Sequence, residues 1–160
     1  MIREQMSSAD AAWLHMDRPT NLMVITSVMW FDEPIDRAAL VEVVRERLAG
    51  RYERFRQRVV ESHVPLRTPH WEDDPDFDLE RHVHHLALPA PGRDAELQDF
   101  VSDLMATPLD RSKPLWDLYV VDGRGRLVAH SEPKRLEGDL DVSNVEIGRA
   151  SCRERVFRVV

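Results

Sequence analysis

The run Pro114-Leu115-Trp116-Asp117-Leu118-Tyr119-Val120-Val121 decides how the rest of the chain is read. A proline fixes the approach, a large indole follows, and a β-branched and aromatic stretch then meets the turn signal Asp122-Gly123. The pattern predicts a strand over residues 115–121. Trp116 is its expected core anchor, and Asp117 a surface or strand-end group.

Working back, Asp94 is placed to cap a helix in which Leu97, Phe100, Val101, Leu104 and Met105 follow the helical stripe up to Thr107-Pro108. Pro89-Ala90-Pro91-Gly92 turns the chain after an extended segment at 79–88. Residues 61–77, rich in Pro, His and Asp, read as a long ordered connection with Trp71 and Phe77 anchored in the core. Phe55, Gln57 and Val59 alternate with Arg56, Arg58 and Val60, as in a short strand with one wetter face. Asp36, after Pro34, predicts the cap of a helix carrying the stripe Leu40, Val43, Val44 and Leu48, with Gly50 to stop it. Residues 22–31 (LMVITSVMWF) are apolar at odd and even positions, which predicts a central strand covered on both faces. Ahead of it, Ser8 opens a helical pattern that gathers Ala9, Ala12, Trp13 and Met16 on one face and ends at Arg18-Pro19. The fold class expected is α/β (α+β), a mixed sheet with packed helices.

Composition narrows the function classes. The chain of 160 residues is 42% hydrophobic and 32% charged, as a soluble globular domain is. It has no apolar run of spanning length and no secretory h-region, so the expected location is the cytoplasm. The single Cys152 excludes an internal disulfide. A net charge of -7 argues against nonspecific nucleic-acid binding. The charge is uneven, however: residues 1–123 hold 14 basic and 23 acidic side chains and all four tryptophans, whereas residues 124–160 hold 8 basic and 6 acidic.

Candidate chemistry is sparse. In a strand, His82 and His84 would share a face about 7 Å apart, a spacing that suits zinc, but the neighbouring Asp74, Asp76, Asp78 and Glu80 read as a solvated face and no metal is expected. Arg45, Arg47, Arg51, Arg54, Arg56 and Arg58 alternate with Glu42, Glu46 and Glu53, as on exposed faces rather than a phosphate site. Nucleophile-elbow, P-loop and dinucleotide signatures are missing.

Several blocks carry a resemblance. The runs Ser7-Ser8-Ala9-Asp10-Ala11-Ala12-Trp13-Leu14, Pro19-Thr20-Asn21-Leu22-Met23-Val24-Ile25, Phe55-Arg56-Gln57-Arg58-Val59, Asp76-Phe77-Asp78-Leu79, Leu86-Ala87-Leu88-Pro89-Ala90-Pro91-Gly92 and Pro108-Leu109-Asp110-Arg111-Ser112-Lys113-Pro114-Leu115-Trp116 together resemble the start of bacterial wax ester synthase/diacylglycerol acyltransferases. The resemblance implies part of the N-terminal half of a CoA-dependent, chloramphenicol acetyltransferase-like fold, covering residues 1–123. It also implies an O-acyltransferase that moves a fatty acyl group from acyl-CoA to diacylglycerol (triacylglycerol synthesis) or to a long-chain alcohol (wax ester synthesis). Pro114, Leu115 and Trp116 are its structural family-motif residues. No cofactor is implied beyond acyl-CoA as substrate, and a water-insoluble acceptor implies peripheral contact with a membrane or lipid droplet.

The family's H-H-x-x-x-D-G motif, whose second histidine would act as general base, does not occur in this sequence, and His84-His85 continues Leu86-Ala87-Leu88-Pro89-Ala90 instead. No catalytic residue is therefore assigned. Residues 124–160 are expected to be a non-family tail from a frame change or adapter sequence, and the chain is expected to be an inactive, self-associating fragment. The alternatives are a catalytically dead lipid- or acyl-CoA-binding module and a truncated condensation-type domain.

Overall fold

The computed structural model describes residues 3–31, 35–61 and 67–122 together with the backbone of 126–131. Pro34, Gly123 and residues 132–160, on which parts of the reading above fall, lie outside the described residues.

Two sheets organise the chain. The larger contains β2 (Ile25–Trp30), β5 (Val83–Leu86), β6 (Trp116–Val121) and β7 (Arg126–Ser131) in the order β2-β7-β6-β5. β6 lies parallel to β5 and antiparallel to β7, with Val83 opposite Leu118 and Val121 opposite Arg126. The smaller sheet has β1 (Arg3–Gln5), β3 (Gln57–Val60) and β4 (His70–Asp73) in the order β1-β4-β3. The mixed α/β class read from the sequence is the class observed.

Two helices cover the larger sheet on opposite faces. α2 (Arg37–Val43), continued by a π-helical turn over Val44–Ala49, places Leu40, Val41 and Val44 against Trp116, Leu118 and Val120. α3 (Asp94–Met105) places Leu97 and Leu104 against Val121, with Val28, Trp30 and Tyr119 packed around them. β6 is apolar on both faces for this reason, whereas strict alternation would have left one face to water. Each fully buried aliphatic side chain in these layers contributes on the order of 1.5–3 kcal/mol. The Asp36 carboxylate accepts from the backbone N–H groups of Ala38 and Ala39, as the cap reading requires. Gly50 ends this helix through space rather than handedness: its backbone stays right-handed, and a Cβ there would stand 2.8 Å from the Glu46 carbonyl oxygen.

Several local readings are corrected. β2 is covered on both faces only in its second half, with Val28 and Trp30 on the α3 side and Met29 and Phe31 on the α2 side, while Ile25 and Ser27 are exposed; it stands at the rim of the sheet and pairs only with β7 among the described residues. α1 (Ser8–Met16) turns Leu14 and Ala11 inward, and the apolar stripe of Ala9, Ala12, Trp13 and Met16 faces outward. The α3 N-cap is Arg93, whose N–H donates to Glu96 at 2.7 Å; Asp94 is the first helical residue, and Met105 is exposed. Phe55 belongs to a 3-10 turn (Glu53–Arg56) that precedes β3.

β1 and β4 carry no apolar alternation, and the long connection therefore conceals a strand. Their backbone ladder sets Glu4 opposite Trp71, and the buried Glu72 carboxylate pairs with Arg3 and Arg58 at 3.1 and 3.5 Å. Burial alone would raise the Glu72 pKa, and the two guanidinium groups outweigh it and hold the group below the ordinary carboxylate value. Trp71 is buried and Phe77 packs at the edge of the α2 core, as expected of anchors.

Candidate functional site

The loop that delivers the chain into β6 is built from polar turns and one cross-link. Asp110 accepts from the Ser112 hydroxyl at 2.7 Å and from its N–H at 2.9 Å, bonds that stabilise the carboxylate and lower its pKa. Arg111 next to it reaches across to α1, donating to the Leu14 carbonyl at 3.0 Å and to Asp17 Oδ2 at 2.9 Å, while its other terminal nitrogen donates to Glu61 at 2.9 Å. An orphan carbonyl at the α1 C-terminus is thereby satisfied.

Behind Pro114, the neighbours Leu115 and Trp116 divide between two cores. Pro114 is fully buried. Leu115 packs with Met6, Leu14, Val59 and Trp71, the cluster that joins α1 to the small sheet. Trp116 packs beneath α2, and its indole N–H donates to the Phe55 carbonyl at 3.0 Å.

His82 and Asp117 complete the constellation. The His82 ring lies between Phe77 and Trp116, with centroid separations of 5.6 and 4.5 Å, and its Nδ1–H donates to the Trp116 carbonyl at 2.8 Å. Burial lowers the His82 pKa and so favours the neutral ring; the Trp116 hydrogen bond works against this, and the Lys113 charge reinforces it. Asp117 stands at the start of β6, as the strand-end reading has it, but it is not at the surface: it is 8% exposed, and its Oδ1 accepts from His84 Nε2 at 2.9 Å and from Lys113 at 3.4 Å. His84 stacks on Tyr119, whose hydroxyl pKa is raised by burial and by the Asp117 charge.

The sharing of one face by His82 and His84 is overturned. His82 adopts right-handed backbone angles just before β5 starts, which breaks the two-residue alternation. His82 consequently stacks on Trp116 and His84 on Tyr119, residues on opposite faces of β6. His85 donates from Nε2 to Asp122 at 2.6 Å. Among the described residues no three His, Cys, Asp or Glu side chains converge as a metal ion would need. The arginine run pairs with acids, Arg45 with Glu42, Arg54 with Glu4 and Arg58 with Glu72, and Arg54 also lies over the Trp71 ring. Among the described residues, no helix is long and apolar enough to cross a membrane.

A polar cleft of about 260 Å3 opens where the 74–82 segment faces the 110–113 loop, with His82 in its wall. The histidine cluster could be seen in the sequence. Asp117 as its partner and Arg111 as a cross-link could not, because both contacts join segments far apart in the chain.

Comparison with known proteins gives this arrangement its setting. The chain is 37% identical over 122 residues to the probable diacylglycerol O-acyltransferase tgs3 of Mycobacterium tuberculosis (strain CDC 1551 / Oshkosh), covering 74% of this chain and 45% of the relative. It is also 37% identical over 121 residues to the probable diacylglycerol O-acyltransferase tgs1 of that strain, covering 26% of it. Among solved structures, the wax ester synthase/diacylglycerol acyltransferase from Marinobacter aquaeolei VT8 superposes with a TM-score of 0.64 at 25% identity, covering 80% of this chain and 34% of that one. The condensation domain of the Monacolin K polyketide synthase MokA shares the fold at a TM-score of 0.64 and 16% identity, covering 82% of this chain and 30% of that one. The chain thus spans less than half the length of these relatives. The family model of the wax ester synthase/diacylglycerol acyltransferase catalytic domain matches residues 6–129, and the chain belongs to that family.

Proposed function

We propose that this chain supplies the first part of an O-acyltransferase that moves a fatty acyl group from acyl-CoA to the hydroxyl of diacylglycerol or a long-chain alcohol, and that these 160 residues alone do not turn over. In that reaction the acceptor oxygen attacks the thioester carbonyl, the CoA thiolate leaves, and the hydroxyl proton must pass to a base. The family match over residues 6–129 is the observation that carries the reading. The inactivity rests on the sequence, which holds no H-H-x-x-x-D-G motif. His84 and His85 do not replace it, because Leu86-Ala87-Leu88-Pro89-Ala90 follows them in place of x-x-x-Asp-Gly.

Residues 1–123 are the family-like portion in this proposal, with Pro114, Leu115 and Trp116 as structural residues, and the charge change that follows marks a tail of different origin. Self-association of the chain is supported by the exposed Trp13, Met16, Ile25 and Met105 and by the unpaired rim of β2 among the described residues. Peripheral contact with a membrane or lipid droplet follows from the insolubility of the acceptor.

The purified chain, incubated with a long-chain acyl-CoA and diacylglycerol, is expected to form no triacylglycerol above the protein-free blank. Turnover would overturn the inactivity, and saturable acyl-CoA binding by a monodisperse monomer would favour a lipid-binding module instead. A chimera of residues 1–122 with the remaining length of a related acyltransferase should regain ester formation; a folded but inert chimera would count against the family activity for this segment.

A further inference from the structure

His82 has one edge that nothing among the described residues uses. Its two ring faces are covered by Phe77 and Trp116, and its Nδ1–H is spent on the Trp116 carbonyl. The edge left to line the polar cleft is therefore the one bearing Nε2. The side chain is 2% exposed, so this nitrogen cannot swing into bulk water to find a donor. No partner for it exists among the described residues. Because Nδ1 holds the proton of the neutral ring, Nε2 is a bare lone pair, fixed in direction by two aromatic planes.

The remaining wall of the cleft mixes both charges: Asp74, Asp76, Asp78 and Asp110 stand beside Arg58, Arg81 and Lys113. Arg58, Arg81 and Lys113 face Glu72, Asp78 and Asp117 at 3.5, 4.0 and 3.4 Å, and Arg58 Nε is left as a buried donor without a partner among the described residues. Asp74, Asp78 and Asp110 each give one oxygen to a backbone N–H of their own turn. An anion entering here would meet carboxylates, and a cation would meet guanidinium and ammonium groups. A hydroxyl, by contrast, donates one bond and accepts two, and so suits a wall that holds both carboxylate acceptors and N–H donors. The volume of about 260 Å3 exceeds the roughly 30 Å3 share of one water several-fold and leaves room for a small molecule with more than one hydroxyl.

We infer that the His82 cleft is a binding site for a small neutral polyol, held by a hydroxyl that donates to His82 Nε2 while neighbouring hydroxyls bridge the aspartate and cationic side chains of the wall. The site lies on residues outside the missing motif, and its occupancy requires no acyl transfer.

The test uses the full chain labelled with 15N-histidine. Long-range 1H–15N spectra should show His82 as the Nδ1–H tautomer with a bare Nε2. Titration with glycerol and with myo-inositol should move that Nε2 resonance upfield and saturably, while His84 stays in place. Glycerol 3-phosphate and ethanolamine, as anionic and cationic comparators, should move it less at equal concentration. A linear, non-saturating drift shared by all histidines overturns the site, as does an Nε2–H tautomer or a larger response to either charged comparator. His82→Phe keeps the aromatic stack, and in that variant polyol-dependent shifts of the Ser112 and Lys113 amides should vanish; if it does not fold, the wild-type titration alone decides.

Discussion

The imidazole of His82 stacks on the indole of Trp116 at 4.5 Å and donates Nδ1–H to the carbonyl of the same residue at 2.8 Å, so one side chain holds β5 against β6 by a ring face and a ring edge at once. Protonation would add a second N–H to a buried ring beside Lys113. Burial first, then the Lys113 charge, lower the His82 pKa against the pull of the Trp116 hydrogen bond and the nearby Asp117, with His84 adding a further small lowering. The unfolded chain therefore takes up a proton that the folded chain refuses. This contribution to stability is full above the unfolded histidine pKa of about 6.5 and is lost as the pH falls below it, with a slope of at most about 1.4 kcal/mol per pH unit. Urea midpoints between pH 8 and 5 should fall in the wild type and fall less in His82→Phe; parallel curves would remove His82 as the source. The carboxylates Glu72 and Asp110, both held below their ordinary values, titrate at lower pH and leave this window clear.

Leu115 and Trp116 are neighbours that serve different cores, so truncating either should destabilise the whole. Leu115→Ala is expected to cost about 2–5 kcal/mol and Trp116→Ala about 3–5 kcal/mol, from lost transfer energy and the cavity left behind. Equilibrium denaturation measures both. A change below about 1 kcal/mol for either would mean that its core relaxes around the gap.

The Arg111 cross-link should outweigh its exposed partner. Arg111→Met leaves the largely buried Asp17 carboxylate without its guanidinium and the Leu14 carbonyl without its donor, an expected loss of about 1–3 kcal/mol. Glu61→Gln removes only a solvent-exposed pairing and should cost under about 1 kcal/mol. Equal losses in a denaturant series would show that Arg111 acts through Glu61 and not through α1.

Gly50→Ala places a methyl group 2.8 Å from the Glu46 carbonyl oxygen and 3.0 Å from that of Arg45, both backbone atoms that cannot swing aside. The better helix propensity of alanine offers at most about 1 kcal/mol in return. A net destabilisation of about 1–3 kcal/mol is expected, read from thermal or urea unfolding, and a stabilised variant would contradict the close packing of the π-helical turn.

What the sequence made legible follows the strength of its periodic signals. α2, α3 and β6 announce themselves through apolar spacing, because each buries a regular face. β1 and β4 escaped notice because their cohesion comes from a ladder of backbone bonds and from Glu72 with its arginines, neither of which leaves a hydrophobic period. α1 misled for the opposite reason: its apolar residues do share a face, but Leu14 and Ala11 are the ones that meet the core. At the candidate site, the histidines and the Pro-Leu-Trp run were visible as residues. Their partners Asp117, Phe55 and Phe77 came together only when β5 was laid parallel to β6.

The divergence of two consecutive side chains at 115 and 116 has a mechanical consequence. The small sheet and α1 cannot part from the large sheet without dragging out one of these residues and exposing the core it fills. Local opening at that seam is therefore suppressed. Amide protons in β3 and β4 should exchange at the same free energy as those of β6, as a single cooperative folding unit in which neither sheet loosens before the other.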